Sequence, residues 1–276
     1  MYNKEQTSKL VSYWLRHNPS DGNLDIDEFG WVSIDNLLNA LNSRGQNLTY
    51  SDIAILNQSF DKIRWEFNDD RIRASHGHSI SVILEDKNAT PPLILYHGTA
   101  SKNVTNILKY GLLTMQRQFV HCSANIETAI EVGKRHGKPI VIEIDTESYN
   151  KNNVRFFQTS DNVWLTSEIS NEFLSFKPWE TVVYDEKKNL LKQLETEVSD
   201  EHIVFKKISN FELILRRHDC DDCLFIDNTD LKVYLIHLTF QGKQLNLNYP
   251  RTRLYASFNE RVQNKLIEDQ KNWHCI

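Results

Sequence analysis

The residues with chemistry to offer fall in a few short stretches. They are Arg16-His17, Arg64, the run Arg73 to Ser79 with His76, Gly77 and His78 inside it, His97-Gly98-Thr99, and Arg117 followed by His121 and Ser123. Arginine is permanently charged, and its planar fork matches a phosphate bidentately. Imidazole titrates near neutrality and can donate to an anion or move a proton. The formal net charge of −5 leaves no broad basic face for coating nucleic acid, so an anionic partner has to be held locally by a few converging arginines. Each stretch alone also has a plain reading. Arg16 and His17 are a cationic helix end suited to the helix dipole. Arg64 alternates with Ile63 and Trp65 as a solvated strand face would, and the glycines mark tight turns.

The elements that must position these residues can be read from the patterning. Leu10, Val11, Trp14 and Leu15 form an apolar stripe at helical spacing. Arg16 lies almost opposite the centre of that stripe and His17 at its edge, while Pro19 stops the helix. Residues 33–45 predict a second helix, with Ser33 as N-cap, Ile34, Leu37, Leu38 and Leu41 buried, and Gly45 after the stop. A third helix follows in TYSDIAILNQSF, then the strands KIRWEF and RIRASH around an Asn68-Asp69-Asp70 turn. Three small helices and a hairpin predict a winged helix over residues 1–85.

DKNATPP, residues 86–92, reads as a linker. Beyond it strands and helices alternate: LILYH, a helix from Ser101 to Gly111, FVHCS, a helix ended by Gly137, PIVIEID and VWLT. The fold class expected is therefore α+β. Residues 179–200 read as a charged helical bridge, more linker than core. Residues 201–276 read as a separate α+β module, with strands in FELILRR, CLFID and KVYLIHLTF and a closing helix. The sequence assigns that module no function.

No run approaches the length of a membrane span, and the N-terminus lacks an apolar leader, so a cytoplasmic protein without membrane association is expected. The four cysteines, Cys122, Cys220, Cys223 and Cys275, are too few and scattered for a disulfide framework. His218, Cys220 and Cys223 lack a second pair at zinc-like spacing, and no metal site is expected.

SKLVSYWLRHNP, DEFGWVSIDNLL, RIRASHGHS, LYHGT, GLLTMQRQFVHCS and NVWLT together resemble, in order and approximate spacing, the NAD-dependent RNA 2′-phosphotransferases of the KptA family. The resemblance runs from residue 7 to about residue 178. It implies a winged helix joined to an ADP-ribosyltransferase-like split-sheet lobe at 93–178. It also implies an Arg-His-Arg-Arg catalytic set whose matching positions are Arg16, His17, Arg64 and Arg117. His97, Gly98 and Thr99 match a turn that cradles the nicotinamide riboside, with Gly98 letting the backbone approach closely. His121, Ser123, His78 and Ser79 are the further positions implied for NAD⁺ binding. This sequence departs from the usual pattern at His76, Phe119 and Cys122.

The chemistry implied has two steps. An internal RNA 2′-phosphate displaces nicotinamide from NAD⁺, and the ADP-ribose 2″-hydroxyl then attacks the phosphorus. Arginines clamping the phosphate, with NAD⁺ as co-substrate and no metal, suit both. His17 is open to either role, phosphate donor or acid/base. Two rival readings use the same residues differently. One is an ADP-ribosyltransferase that caps phosphorylated nucleic-acid ends, or modifies a protein, and stops after the first step. The other is a non-catalytic winged-helix regulator, which the near-neutral second helix and the third helix, without a basic residue, disfavour.

Overall fold

The computed structural model describes residues 2–60, 63–85, 89–150, 155–244, 246–258 and 260–274. Residues 86–88 of the expected linker, and Cys275, lie outside the described residues. The chain is mixed helix and strand and divides into two compact units. The first comprises Met1–Pro91, Thr114–His121 and Val154–Glu168; the second comprises Pro92–Leu113, Cys122–Asn153 and Ile169–Ile276.

In the first unit, α1 (Lys4–Arg16) starts at Asn3, whose side chain accepts from the Gln6 amide, and buries Val11, Trp14 and Leu15 completely. β1 (Val32–Ser33) leads into α2 (Ile34–Ser43), where Ser33 is the cap residue but makes no side-chain capping bond. α3 (Tyr50–Gln58) opens with a Thr49/Asp52 capping box. β2 (Trp65–Asn68) and β3 (Arg71–Ala74) form the expected hairpin, and β1 pairs with β3 to give the order β1-β3-β2. Leu37, Leu41, Ile53, Leu56, Trp65 and Ile72 close one core with the α1 stripe. Each such side chain contributes about 1.5–3 kcal/mol on burial.

The second unit begins with β4 (Ile94–Ala100) and α4 (Val104–Tyr110). β5 (Val120–Ser123) starts in the first unit and ends in the second. α5 (Ile126–Lys134), β6 (Pro139–Asp145) and α6 (Thr146–Asn150) follow. β7 (Phe157–Ser160) pairs with β8 (Val163–Thr166) as a hairpin of the first unit. The chain then adds β9 (Leu174–Phe176), β10 (Trp179–Glu180), α7 (Tyr184–Glu197), β11 (Phe211–Arg217), β12 (Asp222–Asp227), β13 (Val233–His237), β14 (Arg251–Tyr255) and α8 (Glu260–His274).

Within the second unit the sheet runs β14-β13-β12-β11-β10-β9-β6-β4, antiparallel at every junction, and β5 joins β4 through the pair Tyr96↔Ser123. Strands beyond residue 200 thus continue the sheet that β4 and β6 begin. α7 is charged on its surface yet buries Leu190 and Leu194 in a core shared with Phe211, Phe225 and Tyr234, so it is a core element and not a bridge. α8 serves the sheet directly. The Val141 amide donates to Gln270 Oε1 at 2.7 Å and Gln270 Nε2 donates to the Val141 carbonyl at 2.7 Å, in the manner of a missing strand. Trp179 Nε1 donates to Asp269 at 2.9 Å beside it.

A further expectation needs correcting. His97-Gly98-Thr99 is not a turn after a strand but lies inside β4. The glycine is there for packing: a Cβ on Gly98 would stand 1.6 Å from the Ala129 carbonyl oxygen of α5. The close approach its missing side chain permits is that of a helix backbone. Gly133 answers it from α5, where a Cβ would meet the Thr99 oxygen at 2.8 Å.

Candidate functional site

Helix α1 delivers the first two residues. Its last turn buries one side, so Arg16 leaves the core and His17 becomes the C-cap, its amide donating to the Tyr13 carbonyl at 2.9 Å. The orphan carbonyl of Arg16 would otherwise be unsatisfied at the helix end. The Ser79 amide donates to it at 2.9 Å, and the Ser79 hydroxyl shares a 3.0 Å hydrogen bond with His17 Nδ1. The GHS loop is therefore a cap that also fixes the His17 ring. Gly77 takes φ +91°, a conformation that favours glycine, and a Cβ there would contact Arg16 Cδ, Nε and Cζ at 3.6–3.8 Å.

Arg64 precedes β2 and is held at both ends. Asn57, at the end of α3, accepts from the Arg64 amide at 3.0 Å and from Trp65 at 3.2 Å, and donates to the Trp65 carbonyl at 2.9 Å. The guanidinium donates to Ser8 Oγ at 2.8 Å and lies over the Phe60 ring, 4.4 Å from its centroid. Arg16 Nη2 donates to the Arg64 carbonyl at 3.4 Å. Arg117 stands exposed on a segment anchored by its neighbour Gln118. The Gln118 amide donates to the His78 carbonyl at 3.0 Å, and the Gln118 side chain bonds the Val82 backbone at 2.9 and 2.8 Å.

The electrostatics of this group are one-sided. Burial, then the charges of Arg64 and Arg117, lowers Arg16 from the ordinary arginine value to about 10. Burial, then Arg16 and Arg117, lowers His17 as well. Arg16 Nε is buried and has no hydrogen-bond partner among the described residues. Among the described residues no carboxylate pairs with Arg16, Arg64 or Arg117, whereas Arg44, Arg71 and Arg73 of the same unit each meet one at 2.7–3.2 Å. Guanidinium groups without a carboxylate partner, Arg16 and Arg64 partly buried and Arg117 exposed, make a site that an oxyanion would stabilise.

His78 is 6 % exposed, and burial with the charges of Arg16, Arg73 and His17 takes it down to about 4, so the ring is neutral at physiological pH. Its Nε2 is buried and has no hydrogen-bond partner among the described residues. His121 Nδ1 bonds the Phe119 carbonyl at 3.0 Å, and its ring meets that of His76 edge-on at 5.7 Å. Two of the unusual residues, His76 and Phe119, thus support His121. Cys122 is a buried thiol pushed up to about 12, a packing residue without thiolate character.

In the second unit His97 and Thr99 alternate with Tyr96 and Gly98 along β4, so they face the other side of the sheet from α5. Thr99 is buried and its hydroxyl accepts from Asn103 at 3.0 Å. Ser123 stands opposite Tyr96, and Tyr96 opposite Glu143, so these three form a row on the α5 side. Glu143 in that row is buried, which raises its carboxyl, and burial with Glu143 and Glu127 raises Tyr96. The structure therefore groups Arg16, His17, Arg64, Arg117, His78, Ser79 and His121 in one unit, and places His97 and Thr99 on the opposite face of β4 from Ser123.

Sequence reasoning missed the residues that hold the site: Ser8, Asn57, Gly77 as a spacer, and Gln118. Asn57 and Gln118 are ordinary polar residues whose partners are backbone groups, and such partners leave no trace in side-chain spacing. Among the described residues no cluster of three or more His, Cys, Asp or Glu is placed to hold a metal ion, and no helix is long and apolar enough to cross a membrane.

Comparison with known proteins gives these observations a context. The model of the RNA 2′-phosphotransferase, Tpt1/KptA family matches residues 2–168. A probable RNA 2′-phosphotransferase of Fusobacterium nucleatum is 41% identical over 179 residues, which is 64% of this chain and 100% of that one. The RNA 2′-phosphotransferase of Escherichia coli K12 is 38% identical over 181 residues, 63% of this chain and 98% of its own. A probable RNA 2′-phosphotransferase of Bacillus thuringiensis is 40% identical over 171 residues, 61% of this chain and 92% of its own. These relatives are matched over nearly their whole length, and about a third of this chain has no counterpart in them.

Proposed function

The chain belongs to the Tpt1/KptA family of RNA 2′-phosphotransferases, and from that premise we propose that it removes an internal 2′-phosphate from RNA with NAD⁺ as co-substrate. The observation that carries the reading is the unpaired arginine cluster at the end of α1, with its buried, partnerless Arg16 Nε. Arg16, Arg64 and Arg117 hold the 2′-phosphate. The nucleophile is already an anion, so orientation matters more than a base in the first step. NAD⁺ supplies an ADP-ribosyl group whose leaving group is nicotinamide: the 2′-phosphate attacks C1″, giving a 2′-phospho-ADP-ribosylated RNA. The 2″-hydroxyl then attacks phosphorus, releasing RNA with a 2′-hydroxyl and ADP-ribose 1″,2″-cyclic phosphate. Charge builds at phosphorus in that second step, where fixed donors are most effective. His17, with Nδ1 engaged by Ser79, keeps Nε2 for the substrate, and we assign it as a donor to the phosphate.

Residues His97 and Thr99, with the Gly98 main chain, are assigned to the dinucleotide in the second unit; His78, Ser79 and His121 are assigned to it in the first. Ser123, on β5 and facing the other side of the sheet, stays outside this assignment. Their types suit the role. His78 is a neutral donor or acceptor in a place where a charged ring would be expelled, and its Nε2 is unsatisfied. The order of elements in residues 1–85, α1-β1-α2-α3-β2-β3, supports reading this part as a winged helix. The antiparallel β4, β5 and β6 with α5 laid on them support an ADP-ribosyltransferase-like lobe over 93–178.

The test is product analysis. The protein is incubated with NAD⁺ and a short RNA carrying one internal 2′-phosphate, and both RNA and nucleotides are weighed by mass spectrometry. Loss of the phosphate together with ADP-ribose cyclic phosphate is the expected result. Accumulation of ADP-ribosylated RNA alone would move the protein to the class that stops after the first step.

A further inference from the structure

The third of the chain without counterpart in its relatives ends the sheet with a strand of unusual composition. β14 is the edge strand, and its sequence, Arg251-Thr252-Arg253-Leu254-Tyr255, follows Tyr249-Pro250. Strand alternation puts Arg251, Arg253 and Tyr255 on one face, and the register sets His237 opposite Arg251 and Leu235 opposite Arg253. Arg251 and Arg253 are exposed. Arg251 lies 5.4 Å from the Tyr249 ring centroid and donates to the Tyr249 hydroxyl at 3.1 Å. Among the described residues neither arginine meets a carboxylate; the nearby Asp222 is engaged by His237 at 2.8 Å.

The surrounding sequence points the same way. Residues 231–259 contain no Asp or Glu, in a chain with 37 of them. One other stretch longer than twenty residues shares that property, residues 87–126, which carries His97, Gly98, Thr99 and Arg117. An acidic protein has thus cleared its negative charge from two places, one of them the segment that carries Arg117 and the β4 residues assigned to the dinucleotide.

We propose that the β14 edge, through Arg251 and Arg253 with Tyr249 and Tyr255 beside them, is a contact surface for single-stranded RNA. Residues two apart on a strand lie about 6.4–6.8 Å from one another along the backbone, a spacing suited to successive phosphates. Flanking tyrosine rings offer faces on which bases stack without regard to sequence. Charges on an edge strand also deter strand-to-strand aggregation, but lysines serve that purpose and need no aromatic neighbours. The proposal rests on RNA being the substrate of this protein. It gives the additional third of the chain a task that a net charge of −5 denies to the molecule as a whole: a local grip on RNA.

The experiment measures binding of the full chain to a fluorescent twelve-nucleotide single-stranded RNA without any 2′-phosphate, by anisotropy, at several salt concentrations. The Arg251→Glu/Arg253→Glu chain is expected to bind at least tenfold more weakly. In a milder Arg251→Gln/Arg253→Gln chain the slope of log affinity against log salt should fall by about 1.4, the change expected when two phosphates of a single strand are no longer neutralised. Turnover of a trinucleotide carrying the 2′-phosphate should be unchanged in both, which separates this surface from the catalytic site and also shows both chains folded. Equal affinity and slope in wild type and variants overturn the proposal, as does wild-type binding to polyglutamate in preference to RNA, which would assign the edge to an acidic protein. If trinucleotide turnover is absent in the wild type, the reading of the catalytic site fails on its own while the binding result still decides the surface.

Discussion

At the scale of residues, the candidate site is a group of like charges held together by neutral groups. Arg16 is capped through its carbonyl by Ser79, spaced by Gly77 and touched at Nη2 by the Arg64 carbonyl, while its Nε stays unsatisfied. The types of Arg16, His17, Arg64 and Arg117 were legible in the sequence because arginine and histidine advertise their chemistry. The supports were not, since Asn57 and Gln118 act on backbone atoms brought near only by folding. His78 gives a prediction proper to this scale. Its imidazole, ordinarily near 6.5, is lowered to about 4 in the fold, so between those values the unfolded chain binds the extra proton. Its contribution is fully present above pH 6.5 and is lost as pH falls toward 4, at most about 3 kcal/mol. Denaturant melts of His78→Gln and wild type at about pH 7 and about pH 4.5, on either side of the ordinary imidazole value, should show a smaller acid loss in the variant. Parallel losses would contradict the assignment.

At the scale of elements, the patterns that came through were those with a clear period. α1, α2, α3 and the β2–β3 hairpin announce themselves through apolar spacing and turn residues. Five strands do not: β1 and β10 have two residues and β9 three, β7 is Phe-Gln-Thr-Ser, and β14 alternates arginine with threonine and leucine, so none shows the apolar alternation that marks a strand. His97-Gly98-Thr99 misleads for a related reason. Glycine is the usual mark of a turn, and nothing local says that a helix backbone will arrive against it. Gly98→Ala tests the corrected account. With the Ala129 oxygen 1.6 Å from the new Cβ, α5 has to lift from β4, and a loss of about 3 kcal/mol or more is expected in chemical denaturation. A variant of wild-type stability would mean the helix sits less closely than described.

At the scale of the whole molecule, the portion matched by the family and the portion beyond it share a sheet. β6 pairs with β9, β9 with β10 and β10 with β11, so the strands after residue 200 continue from those that precede residue 150. Sequence could not disclose this, because pairing between strands separated by tens of residues depends on register and not on local composition. α8 closes the arrangement by completing the hydrogen bonds of Val141 through Gln270, and by supplying Asp269 to Trp179, Lys265 and Arg217. Gln270→Leu keeps the bulk but leaves a buried amide and carbonyl unpaired, at a cost of about 2–4 kcal/mol. Thermal and denaturant melts should show that loss; a neutral result would mean Val141 finds other partners.

The central claim is that the arginine cluster at the end of α1 exists to hold the phosphate on RNA. Its most direct measurement is equilibrium binding, without NAD⁺, of two otherwise identical short RNAs, one with an internal 2′-phosphate and one with the 2′-hydroxyl. Wild type should prefer the phosphorylated strand by at least about tenfold, roughly 1.4 kcal/mol, near the low end of the 1.5–3 kcal/mol scale of a charge-assisted hydrogen bond once screening is counted. The preference should disappear in Arg16→Ala and in Arg117→Ala. A preference that survives both substitutions would place the phosphate elsewhere and contradict the account.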